Sequence, residues 1–277
     1  MGMNKQTCQI LLYEHARQPI TGNVLTVGRQ TVWAGIDEIK QLYSNLNINY
    51  DESLLELDNS TKSGKGKNKV ADYSFFKALG VNTVDAIDVS SYEDANIIAD
   101  LTDAVPQELM FKYDFVYNGS CLDNIFSPAD AIRNMTYLLN ETGRIFHIEH
   151  STHYMGPYIK LSPDWFYDFY VYNNFDVAIY IAIMPKTLND EWDIYEWIPA
   201  LIQRTELPFD RLQTENFLTI CIAQKRKNSN IRLIFPIQKK YRQIAIKFTS
   251  NNIHWDFKHC KTSNFENNDN YIYRGSF

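Results

Sequence analysis

The sequence predicts an α/β protein: a doubly wound, mostly parallel sheet with an antiparallel final strand. Short runs rich in Val, Ile, Phe and Tyr alternate with segments of helical period as far as His150, which is the pattern of parallel strands joined by crossover helices. Two long apolar runs, "FDVAIYIAIMP" and "NFLTICIAQKR", then close the series as neighbouring strands. A chain of 277 residues, 45% hydrophobic and 14% aromatic, is long enough to bury such a sheet.

"NVLTVG" (Asn23 to Gly28) reads as the first strand, and "AGIDEIKQLYSNL" as a helix because Ile36, Ile39, Leu42, Tyr43 and Leu46 recur at spacings of three and four. "STKSGKGKNK" (Ser60 to Lys69) breaks all periodicity and reads as an exposed, mobile loop with solvated lysines. "DYSFFKALG" is a short helix ending at Gly80, followed by strands at "VDAIDVS" and "ANIIADL". "YDFVYNGS" is the fourth strand. "SPADAIRNMTYLLN" is a helix capped by Ser127 with Pro128 in its first turn, and "GRIFHIEH" is the fifth strand. "SPDWFYDFYVYNN" is again a capped helix. Between the two closing strands, "NDEWDIYEWIPALIQR" reads as a helical insertion. Its Trp192, Tyr195, Trp197 and Ile198 suggest a lid or an oligomer face, the latter implying a homodimer. These boundaries predict one domain over 1–226, an insertion over about 186–212, and an extension over 227–277 with a further strand at "RQIAIKF".

A net charge of −6 offers no basic field for nucleic acid, and the longest apolar run, Val177 to Pro185, is too short to cross a bilayer. The N-terminus has no secretion-signal pattern, so the expected location is the cytoplasm. Cys8, Cys121, Cys221 and Cys260 are scattered without metal-ligand or disulfide spacing, and no metal is expected.

Open α/β sheets bind ligands beyond the carboxyl ends of their strands, where strand order reverses. Those ends hold Gly28-Arg29-Gln30, Asp88, Asp100, Asn118-Gly119-Ser120 and Glu149-His150. Asp88 reads either as an acceptor for both hydroxyls of a ribose or as a cap for the turn after it. Asp100 can accept from an adenine amino group, with the Leu101 backbone along the ring edge. "GRQTVWAG" has only one glycine before its helix, which disfavours a dinucleotide pyrophosphate. S-adenosyl-L-methionine carries no phosphate; Arg29 can pair with its carboxylate and Gln30 can bond the same end.

The succession "NVLTVGRQ", "VDAIDVSSYEDANIIADL", "YDFVYNGSCLDNIFSPADAIRNMTYLLNETGRIFHIEH" and "PYIKLSPDWFYDFYVYNNFDVAIYIA" resembles the class I S-adenosylmethionine-dependent methyltransferases. More narrowly it resembles a bacterial small-molecule subgroup with a GRQ variant of the first motif, associated with cell-surface polysaccharide genes. The resemblance covers roughly residues 14 to 226 and implies a Rossmann-like sheet. It departs from the general pattern in its missing glycines, a longer stretch from Gly28 to Asp88, and the tail beyond Lys227. By resemblance Gly28, Arg29 and Gln30 line the methionine, Asp88 the ribose, Asp100 and Leu101 the adenine, and Asn118, Gly119 and Ser120 the sulfonium edge. S-adenosyl-L-homocysteine is the implied product.

A hydroxyl acceptor needs a base, and "HIEHSTHYMGPY" offers His150 and His153, while His147, deep in its strand, reads as a core residue. Asp123 and Asn124 either orient the acceptor or cap a turn. Tyr154 and Tyr158 either wall a sugar-like substrate or pack. Lys239, Lys240 and Arg242 of "QKKYRQ" read as a solvated cluster. The expected partner is a small-molecule acceptor, a sugar or a phosphorylated or phosphoramidate precursor of a surface (capsular) polysaccharide; a phosphate or phosphoramidate oxygen is already anionic and needs only positioning and desolvation. Two rival readings stand: a non-catalytic Rossmann-like binding subunit, and an NAD-dependent oxidoreductase, which the missing fingerprint disfavours.

Overall fold

The computed structural model describes residues 2–152, 156–185, 191–197, 209–236 and 271–276. Nine strands form one sheet: β1 (Asn23–Val27), β2 (Thr83–Asp88), β3 (Ile97–Ile98), β4 (Tyr113–Gly119), β5 (Leu139–His150), β6 (Asp176–Met184), β7 (Asp193–Trp197), β8 (Asn216–Gln224) and β9 (Tyr271–Ser276). Their order is β3-β2-β1-β4-β5-β8-β6-β7-β9. The first five are mutually parallel, and β8 slots antiparallel between β5 and β6. The chain is thus an α/β protein with a doubly wound, mostly parallel sheet and an antiparallel end. Because β2 and β4 flank β1 on opposite sides, strand order reverses at β1 and opens a crevice beyond the carboxyl ends of β1 and β4.

Among the described residues, six α-helices cover the two faces: α1 (Lys5–Arg17), α2 (Ile36–Asn45), α3 (Asp72–Lys77), α4 (Pro128–Leu138), α5 (Pro163–Tyr172) and α6 (Phe209–Thr214). Alternate strand residues point to opposite cores, as the period of two requires. Phe115, Tyr117 and Phe146 join Ile10, Leu11, Ile39, Tyr43, Phe75 and Phe76 on the α1–α3 face. Val116 and Ile145 join Ile132, Met135, Phe166 and Tyr170 on the other. Helix α1 has no counterpart in the strand-and-helix series read from the sequence. A buried ion pair fixes it: Arg144 Nε on β5 lies 2.9 Å from Glu14 Oε1, and Arg144 Nη2 donates to the Gln18 carbonyl at 2.8 Å.

Three local readings are corrected. Within the insertion, Asp193–Trp197 is not helical, since it pairs antiparallel with β6 as strand β7. Nor do its aromatics form an exposed face: Trp192 and Trp197 are buried in the two opposite cores. Ser127 precedes α4 but donates its hydroxyl to Asp130 at 2.6 Å instead of capping the helix, whereas Ser162 accepts from Trp165 N–H as expected. Ile198, residues 186–190 and 198–208 of the insertion, and 237–270, which hold "QKKYRQ" and "RQIAIKF", lie outside the described residues. Of the extension, Ile234 exchanges two 2.9 Å hydrogen bonds with the Asn173 side chain, and β9 pairs with β7.

Candidate functional site

A cavity of about 330 Å³ opens at the strand-order reversal, lined by Val27, Gly28, Ile87, Asp88, Val89, Ala99, Asp100, Leu101, Thr102, Cys121, Ile125 and Phe126. It therefore unites Gly28, Asp88, Asp100 and Leu101 from three separate strand ends. Gly28 has φ +69° and donates to the Ile87 carbonyl at 2.7 Å, which locks the turn to β2 in a conformation that favours glycine. Asp88 spends Oδ1 on Ser90 N–H at 3.2 Å, while Oδ2 faces Gly28. One oxygen thus caps the turn, and the residue also lines the cavity. Asp100 gives Oδ1 to the Thr102 amide and hydroxyl, both at 2.8 Å, and those bonds hold its carboxyl below the usual carboxylate range.

Arg29 and Gln30 are not among the lining residues of this cavity. The Arg29 guanidinium is clamped by buried Asp72, with Nη2 at 2.6 Å and Nε at 3.0 Å from Oδ1. Its charge is thereby already paired, contrary to the expectation of a cation held ready for a ligand carboxylate. Asp72 also accepts from Gln30 N–H at 2.7 Å, so one carboxylate shapes the whole turn. Asp72 stands 42 residues further on, with no pattern linking it to the turn. The Gln30 side chain crosses from the Gly28 turn to β4: Nε2 donates to the Val27 carbonyl at 3.0 Å, and a Cβ at Gly119 would stand only 2.7 Å from Oε1. Gly119 is needed there for close approach. Among the described residues, the Gln30 Oε1 acceptor and the Tyr117 hydroxyl, both beside Gly119, are buried with no hydrogen-bond partner.

Beyond β4 the chain turns sharply at Ser120, whose φ of +60° aims its hydroxyl at the next turn. Ser120 Oγ and His150 Nδ1 both donate to Asp123 Oδ2, each at 2.6 Å, and Asn124 Nδ2 donates to Asp123 Oδ1 at 2.7 Å. Burial alone would raise the Asp123 carboxyl. The bonds from His150 and Ser120 outweigh it and hold the group below its ordinary range. With its Nδ1 proton committed to Asp123, a neutral His150 carries its lone pair on Nε2. Two of the three catalytic candidates, Asp123 and His150, are therefore in direct contact.

A second network lies beneath the first. Buried Glu149 accepts from Leu122 N–H at 3.0 Å, Asp123 N–H at 3.2 Å and Asn118 Nδ2 at 2.6 Å, pinning the turn that carries Asp123. Burial, then the nearby Asp123 charge, pushes Glu149 well above the carboxylate range against those donors. Asn118 also donates to His147 Nδ1 at 2.9 Å, and its Oδ1 accepts from Cys121 N–H, which fixes the amide orientation. His147 must then carry its proton on Nε2, 2.7 Å from Tyr170 Oη. It is a satisfied core histidine, pushed down to about 3 by burial. Asn118 and Ser120, expected at a ligand edge, instead turn their side chains into these networks.

Tyr158 is 74% exposed and meets Phe126, 86% exposed, edge to face at a centroid distance of 6.4 Å. Phe126 lines the cavity, and Ile159 N–H donates to the Asp123 carbonyl at 3.0 Å, so this aromatic pair stands at the mouth. Phe126, Val89 and Cys121 are cavity residues that sequence reasoning did not single out; hydrophobicity alone marks them as core. His153 and Tyr154 lie outside the described residues. Among the described residues, no group of His, Cys, Asp and Glu could hold a metal ion, and no helix is long and apolar enough to cross a membrane.

No protein-family model and no curated protein matches the chain. Solved structures give distant likenesses. A chain assigned to the zinc-dependent alcohol dehydrogenases, from Rhodobacter sphaeroides, is 14% identical over 51% of this chain and 47% of its own, at a TM-score of 0.29. Phosphoethanolamine N-methyltransferase 2 of Haemonchus contortus, bound to S-adenosyl-L-methionine, is 12% identical over 79% of this chain and 52% of its own, at 0.40. A SAM-dependent methyltransferase from Archaeoglobus fulgidus is 12% identical over 78% and 94%, also at 0.40. This chain thus spans about half the length of the first two. Likenesses this distant identify neither a family nor an activity, and function is argued from the chain's own residues.

Proposed function

We propose that the chain is a class I S-adenosylmethionine-dependent methyltransferase acting on an oxygen of a small-molecule acceptor. One observation carries the reading. The loop after β4 supplies cavity walls at Cys121, Ile125 and Phe126 and, between them, the Asp123 that orients His150. A nucleoside-sized cavity and the carboxylate that orients a base thus share one loop.

The residues present fit the cofactor and disfavour a pyrophosphate. The strand ends offer acceptors: Asp88 Oδ2 for ribose hydroxyls and Asp100 for an adenine amino group. Two carboxylates in the cavity suit a ligand bearing cationic groups and repel phosphate. Gln30 also fills the gap between Gly28 and Gly119, where a dinucleotide would need bare backbone. S-adenosyl-L-methionine supplies an electrophilic methyl group on a sulfonium when bound.

The chain's own part is to hold an acceptor hydroxyl in line and to take its proton. His150 Nε2 acts as base, and ionised Asp123 keeps the imidazole in the right tautomer and stabilises the imidazolium that forms. Asp123 is held ionised beside His150 and Arg29 is already paired, so among the described residues this lip favours a neutral hydroxyl over an anionic phosphate acceptor. A sugar precursor of a surface polysaccharide fits that class; the polysaccharide assignment rests on the sequence resemblance.

The test is calorimetric titration with S-adenosyl-L-homocysteine, followed by mass spectrometry of sugar precursors for a single methyl gain. Binding should occur and weaken about 10–100-fold in Asp88→Ala, the worth of hydrogen bonds to a charged acceptor. The non-catalytic reading draws support from the pairing of Arg29 with Asp72, and an absence of binding would establish it over ours. Thermal stabilisation by NAD alone would instead revive the oxidoreductase.

A further inference from the structure

The lysine-rich loop at Ser60–Lys69 is not absorbed by the methyl-transfer reading, and the structure gives it a definite form. Asp58, buried at its base, accepts from Ser60 N–H at 2.9 Å and Thr61 N–H at 3.0 Å and also from the Thr61 hydroxyl. Gly64 packs against this carboxylate so closely that a Cβ would collide with it. Lys65 N–H donates to the Thr61 carbonyl and Lys67 N–H to the Gly64 carbonyl, and Gly66 and Asn68 take positive φ to complete the turns. The loop is therefore a hydrogen-bonded finger. Thr61 Oγ1 also lies 3.0 Å from the Thr31 hydroxyl, next to the Gly28–Gln30 turn.

Lys62, Lys65 and Lys67 project from this finger, exposed, with no ion-pair partner among the described residues. Neither Asp58, which is turned inward, nor Glu93, which accepts from the Lys62 backbone N–H at 2.7 Å, forms an ion pair with them. Apolar side chains flank the base of the finger. Lys69 Nζ donates to the Trp33 carbonyl on one side, and Leu57 bridges Val70 on the other; Trp33 is 45% and Leu57 41% exposed.

We propose that this finger docks the protein peripherally on an anionic lipid bilayer, the lysines meeting headgroup phosphates while Trp33 and Leu57 enter the interface. Charge complementarity argues for a polyanion, because three unpaired cations stand out on a chain of net charge −6. The flanking Trp and Leu favour a bilayer over a nucleic acid, since exposed aromatic and aliphatic side chains gain from the headgroup boundary. Adjacency to the Thr31 turn would hold the strand-end cavity beside the membrane surface. The inference is independent of the methyl-transfer reading.

Co-sedimentation of the full chain with equimolar phosphatidylglycerol–phosphatidylcholine vesicles tests it, against pure phosphatidylcholine vesicles and heparin. The expected result is binding to the anionic vesicles alone, released by high salt. Combining Lys62→Gln, Lys65→Gln and Lys67→Gln should lower partition roughly a hundredfold at unchanged thermal stability. Trp33→Ala should weaken binding without altering its salt dependence. The proposal is overturned by equal binding to neutral vesicles, by a triple variant that partitions like the wild type, or by capture on heparin without vesicle binding. The wild-type salt titration decides the matter even if the triple variant does not fold.

Discussion

Asp123 is the side chain on which the candidate chemistry depends. Ser120, Asn124 and His150 all bond to it, so its carboxylate is held ionised and its geometry is over-determined. Asp123→Asn should therefore lower kcat by roughly 10²–10⁴-fold, the usual contribution of a positioned base, while affinity for S-adenosyl-L-homocysteine is retained. Comparison with His150→Gln checks that both losses reflect one unit, because the double variant should be no worse than the worse single. His147 makes a different prediction. It is neutral in the folded chain, with a value near 3, but protonates in the unfolded chain below about pH 6.5, so its contribution is complete above that pH and is lost as the pH falls. Glu149 works in the opposite sense over the same range, since burial favours its protonated form. The informative quantity is thus the stability gap between wild type and His147→Gln, which should shift by about 2 kcal/mol between pH 7 and pH 5 in denaturant unfolding, to the wild type's disadvantage at pH 5.

Helix α1 and strand β7 show where local pattern stops being informative. The α1 segment carries the fully buried Glu14 on the face turned to the sheet, and that acid reads as polar until Arg144 of β5 is placed against it. Because both groups are buried, Glu14→Gln leaves Arg144 without its counter-charge and should cost about 3–5 kcal/mol, seen as a lower urea midpoint with unchanged slope. In β7, "DIYEW" buries Ile194 and Trp197 three residues apart, so the segment and its flanking Trp and Leu residues satisfy a helical period as well as a short strand. Five residues are too few to separate the two. Pairing with β6 decides the matter, since backbone bonds to an existing sheet edge override a weak helical preference. The finger after Asp58 is the reverse case: glycines and lysines suggest disorder, yet one buried carboxylate organises the turns.

For the molecule as a whole, the strand reversal at β1 brings ligand groups from distant parts of the chain to one cavity. Thermal unfolding should rise with S-adenosyl-L-homocysteine by RT ln(1 + [L]/Kd), about 2.7 kcal/mol at a hundredfold excess over Kd, and should not respond to NAD. Asp88→Ala should abolish most of that rise at the same ligand concentration. That Gly28, Asp88, Asp100 and Leu101 line one cavity could be read in advance because each lies at or just beyond the end of a strand, and strand ends are legible from hydrophobic pattern and the fold's topology.

Pattern along the chain was enough to establish an α/β sheet of this winding, the turn at Gly28 and the pairing of residues to strand ends, because these depend on period and on backbone preferences that each segment carries alone. Which way the polar side chains at those ends face was settled by neighbours far away in sequence. Asp72 claims Arg29 from 43 residues off, Glu149 claims Asn118 from 31, and His150 reaches Asp123 across 27. A buried polar group takes whichever partner the packed fold brings within about 3 Å, since leaving it unpaired costs more than any local preference returns.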